Sequence, residues 1–186
     1  MTFQRTLPLV LLAGVAVALG ACATLQRGPV GNVAVPQPAK AVDLDRYLGR
    51  WYELARYEAG FQKDCEAVTA DYSLLENGQV RVLNRCRQSA VDGPVRQSEG
   101  KAKVVADSQG AKLKVSFFGP FYVGDYWVLD HADDYSWSIV GEPSGRYLWI
   151  LSREARPGAE TLQALRNRVQ ALGYDLSLLR ETQQQG

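Results

Sequence analysis

The feature that most restricts this chain is a hydrophobic alternation of period two, running from Asp43 to about Ser152. In "AKLKVSF", Leu113, Val115 and Phe117 fall on one face and Lys112, Lys114 and Ser116 on the other. "VRVLNRC" sets Val80, Val82 and Asn84 against Arg81, Leu83 and Arg85, and "KAKVV" sets Ala102 and Val104 against Lys101 and Lys103. Successive side chains of a strand point to opposite faces of its sheet, so each run predicts a strand with one buried face. Turn signals separate the runs at Asn77-Gly78, Asp92-Gly93-Pro94, Asp107 to Gly110 and Pro143 to Gly145. Asn-Gly suits a two-residue type I′ hairpin, whose central residues both need φ > 0. Short strands at this spacing predict an all-β sandwich or an up-and-down barrel.

The period changes after Pro157. Leu162, Leu165, Val169 and Leu172 recur at helical spacing, and Gly173 follows as a C-terminal cap. One amphipathic helix therefore follows the strands, and the apolar patch from Leu176 to Leu179 predicts a short strand beyond it. In "YLWILS", Tyr147, Trp149 and Leu151 share one face while Leu148 and Ile150 share the other, so both faces are apolar. A barrel strand normally wets its outer face. The helix stripe is the available cover for this one; a strand inside a sandwich is the alternative.

The first residues point to export. Arg5 is the only charge before Arg27, and the apolar run from Leu9 to Leu19 is 11 residues long. A bilayer-spanning helix needs about 20. A positive start, a short apolar middle and small residues at the end read as a signal peptide over residues 1–21. Leu19-Gly20-Ala21-Cys22 resembles the lipobox of bacterial lipoproteins, in which the cysteine is acylated and becomes the mature N-terminus. Ordinary cleavage after Ala23 is the alternative. The resemblance implies that Cys22 carries a diacylglycerol and an N-acyl chain. It also implies that Ala23, in place of an aspartate, directs the protein to the periplasmic face of the outer membrane. Residues 22–42 contain Pro29, Pro36 and Pro38 with no apolar period, and read as a flexible tether. The folded domain is expected at 43–183.

Loss of the signal removes Arg5 alone, leaving 20 basic against 20 acidic residues. A chain with no net charge has no general attraction to polyanions, which argues against nucleic acid as a partner. The mature length suits one domain.

"DLDRYLGRWYELARYE" opens the domain, and its Gly49-x-Trp51 resembles the first signature of the lipocalin family. "GDYWVLD", with Asp125 and Tyr126, resembles the second, and "YLWILSRE", centred on Arg153, resembles the third. The match covers about Asp43 to Thr182. "LKVSFFGPFY" adds a likeness to the bacterial outer-membrane lipocalins related to apolipoprotein D. The resemblance implies an eight-stranded antiparallel up-and-down barrel with one C-terminal α-helix packed outside. Gly49, Trp51 and Arg153 take structural roles in it, with the Arg153 guanidinium across the Trp51 indole at the closed end. It also implies binding of fatty acids or lysophospholipids, for storage, transport or membrane maintenance.

Such a barrel is just wide enough for side chains or for one small ligand. The alternation nominates the residues that face inward. Reading outward from Trp51, the first strand supplies Glu53, Ala55 and Tyr57. Ala70, Tyr72, Val82, Val104, Val115 and Phe117 come from the middle strands. Tyr126, Val128, Tyr147 and Trp149 come from the last ones. The set is apolar and aromatic, as small-molecule pockets are. Glu53 is the exception. An inward carboxylate needs a partner, for which Arg153 or a tyrosine hydroxyl is expected. A pigment or haem as ligand, or a barrel filled by its own side chains, are the rival readings.

Cys65 and Cys86 remain as a possible disulfide. A two-residue turn at Asn77-Gly78 would set Cys86 opposite Thr69, about 13 Å along the strand from Cys65. The pair therefore needs a bulge or bend to meet; two free thiols are the alternative. His131 is the only histidine and reads as a solvated turn residue. No metal-ligand spacing, nucleophile elbow or phosphate loop is present, so the sequence predicts no metal, no cofactor and no enzyme.

Overall fold

A computed structural model describes residues 28–185. Cys22 and the signal segment lie outside them. Eight strands follow one another as antiparallel neighbours: β1 (Gly49–Tyr57), β2 (Cys65–Leu74), β3 (Val80–Gln88), β4 (Val95–Val104), β5 (Lys112–Ser116), β6 (Gly124–His131), β7 (Trp137–Gly141) and β8 (Leu148–Ser152). β8 pairs back onto β1 and closes the barrel. β1 serves two partners on its other edge. It pairs with β2 through Gly49–Tyr52 and, where β2 departs, with a ninth strand, β9 (Leu179–Glu181), through Ala55–Tyr57.

The up-and-down order sorts the connections. Those after β1, β3, β5 and β7 leave at one end, and those after β2, β4 and β6 at the other. A one-turn helix, α1 (Leu44–Tyr47), closes the second end, the floor. Asp43 caps it by accepting from the backbone N–H groups of Asp45 and Arg46. Val42 N–H donates to the Gln109 carbonyl (2.9 Å), and Asp43 N–H donates to the Tyr135 hydroxyl (2.8 Å). The first end carries no such helix and is the mouth.

The predicted C-terminal helix is α2 (Ala159–Ala171), packed outside the barrel. It covers Leu148 and Ile150, the outer apolar face of β8, with Leu165 and Val169, both fully buried. Each such side chain contributes about 1.5–3 kcal/mol on leaving water.

Three local readings are corrected by the backbone. First, the β2–β3 turn is a three-residue loop, with Leu75 N–H donating to the Gln79 carbonyl. Only Gly78 of the Asn-Gly pair has positive φ (+76°), as in a type I turn followed by a left-handed residue. The register moves by one, so Tyr72 faces Val82 and Ala70 faces Asn84. Second, β1 carries a bulge between Glu53 and Ala55. The extra residue inverts the alternation beyond it. Ala55 and Tyr57 therefore lie on the outer face, under α2, while Arg56 points inward. Tyr57, expected in the lumen, instead packs on Tyr174 and donates to the Asp175 carbonyl (2.8 Å).

Third, residues 28–42 are not a free tether. They form a strap laid along the barrel from mouth to floor. At the mouth, Gly31 N–H donates to the Gly145 carbonyl (2.9 Å) and Arg146 donates to the Gly28 carbonyl. Asn32 Nδ2 donates to the Leu172 carbonyl (2.9 Å), and Val35 packs on the core beneath α2. Near the floor, Lys40 Nζ donates to the His131 carbonyl and meets Asp133. Proline and glycine content mimics a linker, but the segment lives on contacts with the finished barrel, which no local pattern shows.

Candidate functional site

The barrel interior is built from two clusters that share Tyr72 and Tyr126. Trp51, Val128, Val140 and Leu151 form the deep cluster, with Tyr47 of α1 beneath them. Arg153 lies over the Trp51 ring at 3.7 Å. It also donates to the carbonyls of Arg46, Leu48 and Arg50. The stacking contributes roughly 0.5–2 kcal/mol. Trp51 Nε1 donates to the Tyr47 carbonyl (2.9 Å), so α1, β1 and the residue after β8 are locked together. Gly49 begins β1 at the turn that admits Arg153.

Above this floor the Tyr47 hydroxyl bonds to Ser138 Oγ (2.8 Å) and to the Tyr126 hydroxyl (2.9 Å), which bonds to that of Tyr72 (3.1 Å). Burial pushes the Tyr47 hydroxyl up to about 12, partly offset by the bonds to Ser138 and Tyr126. Burial also raises Tyr72 and Tyr126, so the triad is neutral at physiological pH. Tyr72, Val115, Tyr126 and Trp149 point inward and are still only half-buried. Side chains that face away from the outer surface show that accessible area to the lumen.

The wall comes from Val80, Val82, Ala102 and Leu113. Ala70, directly opposite Trp51, is on the same inner face. Phe117 lies over Gly100, where an added Cβ would come within 2.7 Å of its ring. Toward the mouth, Trp149 and Tyr147 stack at 5.9 Å, and Phe61 from the β1–β2 connection packs on Tyr147 at 5.7 Å. Val128 is buried beside Trp51 in the floor. Val104 ends β4 at the floor end and is 40% exposed. Neither of these two lies near the mouth.

The mouth holds a polar cluster of which the alternation revealed only Glu53. Arg56 is fully buried and Glu53 is 2% exposed. Arg56 Nη1 meets Glu53 Oε1 at 2.8 Å and donates to the Cys65 carbonyl (3.1 Å), while Nη2 meets Glu58 Oε1 at 3.0 Å. Thr182 and the Gln62 side chain also donate to Glu53. Gln62 Oε1 in turn accepts from Trp149 Nε1 (3.0 Å), so the β1–β2 connection is tied across the lumen to β8. Glu53 thus finds Arg56, not the expected Arg153, because the bulge turns Arg56 inward three residues away. No periodic signal marks Gln62, which acts from a loop.

Cys65 and Cys86 are joined by a disulfide, with Cα atoms 5.4 Å apart. A second bulge, between Glu66 and Thr69 of β2, shortens the distance along the strand. His131 is buried, stacked on Tyr135, with its ring nitrogens against the carbonyls of Ala132 and Ala41. It is a latch on the floor, not the solvated residue expected. A cleft of about 190 Å³ between α2 and β9 lies on the outer side of the barrel, lined by Leu54, Ala55, Ile150 and Leu165.

An eight-stranded barrel closed at one end by a helix and lined by aromatic and aliphatic groups that keep accessible surface has the architecture of a container for a small hydrophobic molecule. The lipocalin-like domain family matches residues 42–184. The chain belongs to that family. It is 38% identical to the outer membrane lipoprotein Blc of Escherichia coli, over 98% of this chain and 99% of that one. It is 35% identical to apolipoprotein D of Macaca fascicularis, over 95% of each chain. Among solved structures, insecticyanin from the tobacco hornworm Manduca sexta superposes with a TM-score of 0.65 at 21% identity, covering 85% of this chain and 87% of that one.

Proposed function

We propose that the protein is an acyl-anchored lipoprotein of the bacterial outer membrane, on its periplasmic face, whose barrel binds a fatty acid or lysophospholipid. The observation that carries this reading is the gradient inside the barrel. An apolar wall with accessible lumenal surface rises to a mouth where Trp149 and Tyr147 stand beside the Arg56–Glu53–Gln62 cluster. An acyl chain with ten buried methylenes gains on the order of 8 kcal/mol on leaving water, less the cost of ordering it. The polar cluster lies where a headgroup or carboxyl end would rest. The near full-length likeness to outer membrane lipoproteins supports the location, and acylation of Cys22 supplies the anchor.

Binding rather than catalysis fits the chemistry on view. The two described thiols are spent in the disulfide, and His131 is held by backbone carbonyls. Among the described residues no group of three or more His, Cys, Asp or Glu side chains is placed to hold a metal ion.

Native mass spectrometry of the chain from Gly28, which keeps the strap, tests the reading. A co-purifying adduct of lipid mass, displaced by added lysophospholipid, is expected. A folded protein with neither adduct nor titratable binding would favour a filled barrel, and a coloured adduct would favour a pigment. Trp149→Ala should weaken fatty-acid affinity by about tenfold, the loss of roughly 1.4 kcal/mol of contact, while the protein stays folded by circular dichroism. Unchanged affinity removes Trp149 from the site.

A further inference from the structure

The strap has a consequence for how the barrel sits on its membrane. Its first described residue is at the mouth: the Gly28 carbonyl accepts from Arg146 of the β7–β8 connection, and Gly31 bonds to Gly145 beside it. Five residues, 23 to 27, lie between Cys22 and Gly28. Fully extended, they span at most about 20 Å. The nine residues of β1 alone are about 30 Å long, and the strap consumes residues 28 to 42 in descending from mouth to floor. An acyl chain on Cys22 can therefore reach a leaflet beside the mouth but not one beneath the floor.

The mouth is also where apolar groups lie open. Phe61 is 58% exposed at the tip of the β1–β2 connection, Val95 is exposed where β4 begins, and Val30 is exposed on the strap. The floor is finished differently, with α1 across it and its polar groups turned to solvent and to the backbone; among the described residues only Leu74 and Val104, at the ends of β2 and β4, are exposed large apolar groups there. Aromatic and aliphatic groups at the rim of an entrance suit the boundary of a lipid leaflet.

We propose that the docked strap holds the barrel mouth-down against the leaflet that carries its anchor, with Phe61 and Val95 at the lipid surface, so that ligand passes between membrane and lumen without crossing water. This rests on the acylation of Cys22. It assigns residues 28–42 a function: they convert a tether, which would let the barrel point anywhere, into a bracket.

The test uses the full-length acylated protein in vesicles of phosphatidylethanolamine and phosphatidylglycerol doped with a nitroxide-labelled phospholipid. A fluorescent label is placed on Pro143→Cys, at the mouth, or on Glu76→Cys, in the floor turn after β2. Both positions are exposed. Quenching of the label at 143 but not at 76 is expected. Equal quenching, or quenching of the floor label alone, in vesicle-bound protein overturns the orientation and leaves the anchor standing. A full-length chain that fails to bind vesicles overturns the anchor and the orientation together. Asn32→Ala removes the side-chain bond to the Leu172 carbonyl that pins the strap, and the bond from the Ala34 N–H that shapes the strap itself. In that variant the contrast between the two labels should be lost while vesicle binding persists. A contrast that survives in folded, strap-released protein takes the orienting role away from the strap.

Discussion

Arg153 and Arg56 sit at opposite ends of one barrel and are held in different ways. Arg153, at the floor, is partly accessible and faces an indole and backbone carbonyls. Burial lowers its pKa, yet none of its partners is a charge that depends on it. Arg56, at the mouth, is fully buried and neutralises Glu53, itself buried, while reaching Glu58 at the edge. The floor is a structural seal in which the arginine is satisfied by main chain and an indole. The mouth is an ion pair kept from water by a loop, Gly60 to Gln62, that also spans the entrance. Removing a charge from the first leaves carbonyls that water can reach. Removing one from the second strands a carboxylate.

The sharpest way to break this contrast is to remove both arginines in turn. Arg56→Met should cost about 3–5 kcal/mol, because it leaves Glu53 buried without its counter-charge. Adding Glu53→Gln should recover much of the loss, since the neutral amide no longer needs one. Arg153→Met should cost roughly 1–3 kcal/mol, from hydrogen bonds to accessible carbonyls and the stacking. Urea midpoints at neutral pH measure all three. Equal costs for the two arginines, or no rescue by Glu53→Gln, would end the distinction between seal and ion pair. Next in size is the disulfide at the mouth end. Replacing Cys65 and Cys86 by serine opens a link across a sequence separation of 21, which should cost about 3 kcal/mol. Thiol reductant on the natural protein should reproduce the shift. A midpoint that ignores both treatments would show that the mouth is held without it.

The same two ends explain what could be read from the chain. Where strands are regular, period two assigned faces correctly: Ala70, Tyr72, Val82, Val115, Tyr126 and Trp149 all point inward. This held although the β2–β3 register was off by one, because the face of a strand depends on its own pattern and not on its partner. The pattern failed at the mouth end of β1. A single bulge after Glu53 moved Tyr57 out and Arg56 in. Bulges are selected by the fit between strands, and nothing in "YELARY" announces one. The strap and Gln62 were illegible for a related reason. Each is defined by contacts more than 80 residues away or across the lumen, such as Asn32 to Leu172 and Gln62 to Trp149. The helix was legible because its stripe and the two-sided apolar strand β8 imply each other.

The smallest expected effect separates the floor from the mouth by pH. Burial holds the Tyr47 proton to about 12 in the folded protein, against about 10 in the unfolded chain. Between those values the native state binds more protons than the unfolded one, so stability falls as pH rises through the window and is intact below it. Tyr72 and Tyr126, also raised by burial, act in the same direction. Arg56 at the mouth has no part in this window: burial lowers its pKa, but the charge and hydrogen bond of Glu53 outweigh that and raise it above the already high arginine value. Tyr47→Phe should cost about 1 kcal/mol at neutral pH, for the bonds to Ser138 and Tyr126. Its stability should then decline less steeply than the natural protein's between pH 10 and 12, because one of the coupled hydroxyls is gone. Urea denaturation across that range gives both slopes. Parallel declines would mean that the alkaline loss begins elsewhere, and that the tyrosine floor is not the first part of the barrel to yield to base.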